Sequence, residues 1–231
     1  MKTVDILYED ADIIVVVKPP GMPSQAERGT ALDMVSYLKN YLAKKGISNP
    51  YVAPVHRLDR PVGGVMVYAR SLKAAKILSR MVQERKIYKQ YKAVLCGQLP
   101  RQSGKLVDEL IKNGKTNMSE SVMPGVKNPD AKQAVLEYKV LNKRTWNDVL
   151  YTLVQIHLVT GRHHQIRVQM AGAGAPIAGD AKYGQTEQGT QRLFNEIGLF
   201  SDRLEFSHPV TAKKMIFTAP ASSAPFQLFL D

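Results

Sequence analysis

Pro54-Val55-His56-Arg57-Leu58-Asp59-Arg60-Pro61-Val62-Gly63-Gly64-Val65-Met66-Val67-Tyr68-Ala69 sets a carboxylate between two arginines and runs on into an apolar stretch of strand type. A proline and two glycines make the connection, a composition that turns the backbone sharply just after Asp59. Cations on both sides favour the ionised carboxylate. Asp59 therefore reads as a nucleophile, a general base or half of a structural ion pair. Surface pairs of this kind are common and are worth about 0–1 kcal/mol, so local chemistry favours the structural reading.

Working outward, the composition narrows the partners. The chain has 231 residues, 44% of them hydrophobic, enough for a sizeable core in one catalytic domain of one or two lobes. Lys and Arg total 32 against 20 Asp and Glu, a net charge of +12 that calls for a polyanion, most simply nucleic acid. A membrane surface is the rival, but there is no long uncharged apolar run, and the basic residues are dispersed. Cys96 is the single cysteine, which excludes a disulfide within the chain and disfavours a cysteine-based zinc site. The first residues carry no apolar leader pattern, so the expected location is the cytoplasm.

Upstream of the motif, residues 4–8 and 13–17 read as strands around the polar turn 9–12, the second apolar throughout and central. Lys18-Pro19-Pro20-Gly21 stops it. Thr30 is expected to open a helix with Asp33 at its third position, and Gly46 to end it. Downstream, Ser71 is the expected cap of a helix whose apolar stripe is Ala74, Ile77, Leu78, Met81 and Val82. Residues 87–97 read as a long strand with Ile87, Lys89 and Tyr91 on one face. Tyr91 is there either a half-buried sheet aromatic or a ring that meets a base. From Pro100 to Asp130 the expectation is an irregular hairpin or excursion, with no function assigned. Strands return at 134–140 and 149–159, the latter central.

The strand 149–159 leads into Thr160-Gly161-Arg162-His163-His164-Gln165-Ile166-Arg167-Val168-Gln169-Met170, read as a helix of some ten residues after the Thr-Gly break. Adjacent histidines diverge on a helix and no ligand partner stands at helical spacing, so a metal is not expected. Arg162 suits either a cap on nearby carbonyls or a phosphate contact. Arg167 suits a carboxylate from elsewhere in the chain.

His56-Arg57-Leu58-Asp59-Arg60 with its glycines resembles the catalytic motif of the RluA-type pseudouridine synthases. Lys89-Gln90-Tyr91-Lys92-Ala93 and Thr160–Arg167 resemble two further motifs of that family, as do 174–184 and 204–210 in position. The likeness covers roughly residues 13–220. Val62-Gly63-Gly64 replaces the family's usual Thr-Ser-Gly, and Gly174-Ala175-Pro176 its Gly-His-Pro.

The resemblance implies an α+β fold: a long mixed, mostly antiparallel sheet with flanking helices and a central catalytic cleft. The expected organisation is a single catalytic domain 1–231, and, in contrast to many relatives, no separate N-terminal RNA-binding module is expected. The resemblance implies isomerisation of uridine to pseudouridine in ribosomal or transfer RNA. No cofactor is expected, because the uracil is retained and the redox state is unchanged. No obligate protein partner is inferred. Asp59 is the implied catalytic carboxylate, Arg167 its partner and Tyr91 the ring against the base. Arg57 would fill the stack that an extruded uridine leaves, and Ile166 would support the base. Lys18, His56, Arg60, Lys89, Arg162, His164 and Gln165 complete the implied RNA contacts. A catalytically inert RNA-binding protein on the same fold is the alternative.

Overall fold

The computed structural model describes residues 4–26, 32–123, 125–126, 128–184 and 193–230. In chain order the elements are β1 (Asp5–Glu9), β2 (Ile13–Lys18), α1 (Met34–Lys44), β3 (Ala53–Pro54), β4 (Gly63–Ala69), α2 (Leu72–Gln83), β5 (Tyr88–Cys96), β6 (Ser103–Asn113), β7 (Met118–Ser121), β8 (Lys132–Trp146), β9 (Val149–Leu158), α3 (Gln165–Gly172), β10 (Leu199–Ser207) and β11 (Lys214–Thr218), with a 3-10 turn at Ala224–Phe229. They form two compact units, Met1–Lys89 with Ser201–Pro220, and Gln90–Phe200 with Ala221–Asp231. The class is α+β, as expected. No described helix is long and apolar enough to cross a membrane.

In the first unit β2 lies between β1 and β4, antiparallel to both. Ile13, Ile14, Val15 and Val16 are fully buried, and so is every residue from Val65 to Ala69. Each such aliphatic side chain contributes about 1.5–3 kcal/mol by leaving water. Gly64 has φ +132° and lies against β10: a Cβ there would stand 2.3 Å from the Ser201 carbonyl oxygen. This is the physical reason for glycine at the head of β4.

Asp33 caps α1, accepting from the Val35 and Ser36 N–H groups at 2.8 and 3.2 Å. The helix thus starts three residues later than a Thr30 cap predicts, and Thr30 lies outside the described residues. Its end is as expected: Gly46, at φ +86°, donates to the Ala43 carbonyl and Ile47 to that of Leu42. Ser71 caps α2 through the Ala74 N–H at 3.1 Å.

The second unit has the strand order β5-β9-β8-β6-β7, antiparallel throughout. β9 is central, as its alternation predicts. The stretch 100–130 is more regular than expected, with β6 and β7 forming a hairpin. β8 runs to Trp146 rather than 140, past a register shift between Val140 and Asn142, because Asn147 and Asp148 at φ 48° and 57° turn it straight into β9.

Candidate active site

Asp59 sits on a loop whose backbone is pinned residue by residue. The Ser24 hydroxyl accepts from the Leu58 N–H at 3.1 Å and donates to the Leu58 carbonyl at 2.9 Å. The Asp59 carbonyl accepts the Val62 N–H at 2.9 Å, closing the turn into β4. The Arg60 carbonyl accepts the Gly21 N–H at 2.8 Å, while Arg60 Nε returns a bond to the Gly21 carbonyl at 3.1 Å.

Beneath this loop lies Lys18, whose Nζ donates to the carbonyls of Pro19, Met22 and Arg60 at 3.2, 2.7 and 3.2 Å. Lys18 is fully buried. A buried ammonium is costly unless polar groups replace its water, and three carbonyls do so here. Lys18 was expected among the RNA contacts. Its burial instead makes it a clamp between the 19–22 turn and the Asp59 loop. Leu58 is buried, Asp59 half-buried, and Arg57 and Arg60 exposed.

His56 precedes them. Its Nε2 accepts the Val67 N–H at 3.3 Å, which places the ring proton on Nδ1. That Nδ1 is buried and has no hydrogen-bond partner, a state that costs about 1–3 kcal/mol. Burial, and then the charge of Lys89, push the His56 pKa down to about 3, so the ring is neutral at physiological pH. Burial also lowers the pKa of Lys89.

In the second unit Arg167 leaves the first turn of α3 and forks onto Asp180, Nε to Oδ2 and Nη2 to Oδ1, both at 2.7 Å. Both side chains are almost fully buried. The Tyr183 ring lies 5.3 Å from the guanidinium carbon. Asp180 Oδ1 also accepts the Lys182 and Tyr183 N–H groups at 2.9 and 3.3 Å. Burial alone would raise the Asp180 pKa, but the Arg167 hydrogen bond and charge, with the two amides, outweigh it and hold the carboxyl below its ordinary value.

Before α3 the chain passes through His164 at φ 51°, so the helix begins at Gln165 rather than at 162. His164 stacks on His163 at 3.8 Å between centroids, and its Nδ1 lies 2.9 Å from the Tyr183 hydroxyl. The same hydroxyl accepts the Ser119 N–H of β7 at 2.7 Å. Gln165 Oε1 accepts from Thr160 Oγ1 and the Arg162 N–H, at 2.8 and 2.9 Å. Its Nε2 donates to the Val135 carbonyl and Gln169 Oε1, at 3.1 and 3.0 Å. Gln165 was expected to touch RNA. Buried and fully bonded, it fastens α3 to β8 instead. Arg162 takes the capping option, Nε to the Gln133 carbonyl at 2.9 Å. Tyr91 and Ile166 are buried.

Lys18, Arg60 and the Asp59 loop are thus brought together in one unit, and Arg162, His164, Gln165 and Arg167 in the other. Sequence reasoning missed Ser24, Ser119 and Asp180. Asp180 had a legible signal, since Gly179-Asp180 with Tyr183 lies in a segment already noted for its likeness to the family. Ser24 and Ser119 have none, being single serines in polar context.

Residues 12–172 match the family model described as RNA pseudouridylate synthase. The ribosomal large subunit pseudouridine synthase D of Pasteurella multocida is 33% identical over 232 aligned residues, covering 94% of this chain and 67% of that protein. The ribosomal large subunit pseudouridine synthase C of Buchnera aphidicola is 30% identical over 220 residues, covering 94% and 67%. Among solved structures, human RNA pseudouridylate synthase domain containing 1 superposes with a TM-score of 0.77 at 21% identity, over 94% of this chain and 83% of that one, a likeness of fold.

Proposed function

We propose that this chain, which belongs to the RNA pseudouridylate synthase family, acts on ribosomal RNA with Asp59 as its catalytic carboxylate. It is an RNA pseudouridine synthase. The printed names of its relatives support large-subunit ribosomal RNA as the substrate, and the net charge of +12 suits any structured RNA. Transfer RNA is the other candidate. The reaction breaks the bond from ribose C1′ to uracil N1, turns the base and joins C1′ to C5; C5 releases its hydrogen as a proton and N1 takes one up, so the product is an isomer of the uridine.

The observation that carries the assignment of Asp59 is its loop. The backbone is held at 58, 59 and 60 by Ser24, the Val62 amide and Lys18, while the side chain is left half-buried. A reacting carboxylate needs that fixed placement. Asp59 attacks the ribose or base or removes a ribose proton. Tyr91 packs on the base, Ile166 supports it, and Arg167 serves with Asp59 and Tyr91 as a catalytic residue. Arg57 takes the place of the extruded uridine in the stack. The enzyme works in the cytoplasm as one catalytic domain, without cofactor or obligate protein partner.

Asp59→Asn tests this. Pseudouridine yield on a large-subunit ribosomal RNA transcript is expected to fall at least ~10³-fold, as for loss of a positioned nucleophile or base. RNA affinity and melting temperature are expected to persist. Substantial yield from a folded Asp59→Asn protein rules out the carboxylate. Yield absent from the unsubstituted protein on that transcript, but present on transfer RNA, moves the substrate alone.

A further inference from the structure

We propose that the groove between Tyr51 and α2 is a second RNA contact, which holds the strand flanking the target uridine. The groove is open, about 600 Å³ in volume, and Tyr51, Leu72, Lys76, Ser79 and Arg80 are among its lining residues. The four helix residues stand at i, i+4, i+7 and i+8, on one face of α2. The opposite face carries the buried Ala74 and Leu78, so core packing does not account for the groove side. Leu72 is 65% exposed there and Tyr51 38%. Charge is the second observation. From Leu72 to Lys86 the chain carries Lys73, Lys76, Arg80, Arg85 and Lys86 against a single carboxylate, Glu84, and all six are exposed. Glu84 lies 2.7 Å from both Arg80 and Lys86. Lys73 and Lys76 have no ion pair among the described residues, so they are the cations that the fold leaves to a partner.

That combination narrows the partner. Ammonium groups beside a half-exposed phenol ring suit a polyanion with flat aromatic faces: the lysines take phosphates and the ring takes a base. An acidic protein face meets the lysines and gives the ring nothing to stack on. A membrane surface calls for a broader apolar face than Leu72 and one ring. RNA is the substrate in the reading above, on which this inference rests. Position follows from the strand register. Ala53 of β3 pairs with Ala69, the last residue of β4, so Tyr51 stands beyond that end of the strand, as does Leu72. The Asp59 loop enters β4 at its other end, Gly63. A strand of that length covers about 20 Å. A stacked strand of nucleic acid advances about 3.4 Å per nucleotide, so the groove meets RNA roughly six nucleotides from the uridine. It touches flanking sequence and not the reacting nucleotide.

The test compares a long RNA with a short one. Lys73→Gln combined with Lys76→Gln removes both charges at exposed positions. Tyr51→Ala removes the ring and Tyr51→Phe keeps it. Affinity is measured over a salt series for a folded large-subunit ribosomal RNA transcript. It is measured also for an oligonucleotide that ends about two nucleotides beyond the same uridine on each side, too short to reach the groove. On the transcript the lysine variant is expected to bind about tenfold more weakly, with a log–log salt slope lower by about 1.4–1.8, two phosphate contacts. Tyr51→Ala is expected to bind about tenfold more weakly with its slope unchanged, as loss of a stacked base does. Tyr51→Phe binds as the unsubstituted protein does. The short oligonucleotide binds all four proteins equally. Unchanged affinity of the lysine variant for the transcript leaves the groove to a protein partner and overturns the proposal. The same loss on both RNAs overturns it too, as does a folded Tyr51→Ala protein that binds as tightly as Tyr51→Phe. If Tyr51→Ala does not fold, the lysine variant decides. These are binding readouts, so a transcript that yields no pseudouridine counts against the substrate reading alone, while salt slope and RNA length still decide on the groove.

Discussion

The segments 54–64 and 160–184 solve opposite problems. Around α3 every described polar side chain is matched: Gln165 makes four hydrogen bonds, and Asp180 takes two from Arg167 and two from backbone amides. Around Asp59 the hydrogen bonds described above chiefly fix the backbone. There Ser24 and Lys18 tie down main-chain groups, while Arg57 faces solvent and His56 Nδ1 has no acceptor. Segment 160–184 thus meets its buried polar groups from within the chain, whereas segment 54–64 leaves one buried donor, His56 Nδ1–H, unmet. Substitutions should accordingly reach stability first near α3 and RNA first near Asp59.

Arg167→Met should have the largest effect on stability. It strands the Asp180 carboxylate, which is fully buried at its side chain, and removing one partner of such a pair costs about 3–5 kcal/mol. Urea denaturation measures it. Adding Asp180→Asn should restore much of the loss, since the unpaired charge is then gone. No rescue by the second substitution would mean that the fork is incidental.

Gly64→Ala is the counterpart in the first unit. The added Cβ meets Ser201 backbone atoms at 2.3 and 2.5 Å, and backbone yields less readily than a side-chain end. A loss of about 3 kcal/mol is expected, again by urea. An unaltered midpoint would show that β4 and β10 tolerate a wider spacing, and that the glycine has another reason.

These contacts mark where sequence reading succeeds and where it stops. Periodicity placed α2, because Ala74 and Leu78 are buried on a stripe with Ser71 at its head, and it placed β9 as a central strand. Both signals are local. It stopped at Val140, short of Trp146, since Asn142, Lys143 and Arg144 are exposed and polar, and only pairing with β9 makes them a strand. It started α3 too early because left-handed His164 is held by Tyr183, nineteen residues on. In the candidate site Asp59, Tyr91 and Arg167 were legible as motif residues. The inward roles of Lys18 and Gln165 were not, because a cation or an amide has no sequence signature for the carbonyls it will meet.

Acid separates the two segments by pH. The folded-state pKa of His56, about 3, is below the unfolded value near 6.5. The unfolded chain therefore binds the proton first, and stability is lost as pH falls from about 6.5 towards 3, by up to ~1.4 kcal/mol per pH unit. The Asp180 pKa is also depressed, so its contribution is present above the ordinary carboxylate range near 3.9 and is lost only as pH falls through the lower folded value. Urea midpoints across pH 7 to 3 should decline from about pH 6 in the unsubstituted protein, and much less down to pH 4 in His56→Gln. Identical profiles would mean that His56 is not the group that titrates.

Arg57→Ala should leave stability untouched and sharpens the contrast most. Arg57 is exposed, on a loop whose rigidity comes from residues 58–60 and their partners rather than from its own side chain. Truncation should not move the melting temperature. If Arg57 fills the gap left by an extruded uridine, it is needed where a stack exists to be vacated, in a folded transcript. It is needed less in a short single strand whose bases are already loose. Stacking on a base is worth about 1–3 kcal/mol, so kcat/KM on the folded transcript should fall roughly 10- to 100-fold. The fall on an unstructured oligonucleotide containing the same uridine should be several times smaller. An equal fall on both substrates would make Arg57 a general phosphate contact, and such a contact would also lower the salt slope of binding by about one. A lower melting temperature would put Arg57 in the same class as Arg167, and the distinction between the two segments would fail at the residue beside Leu58.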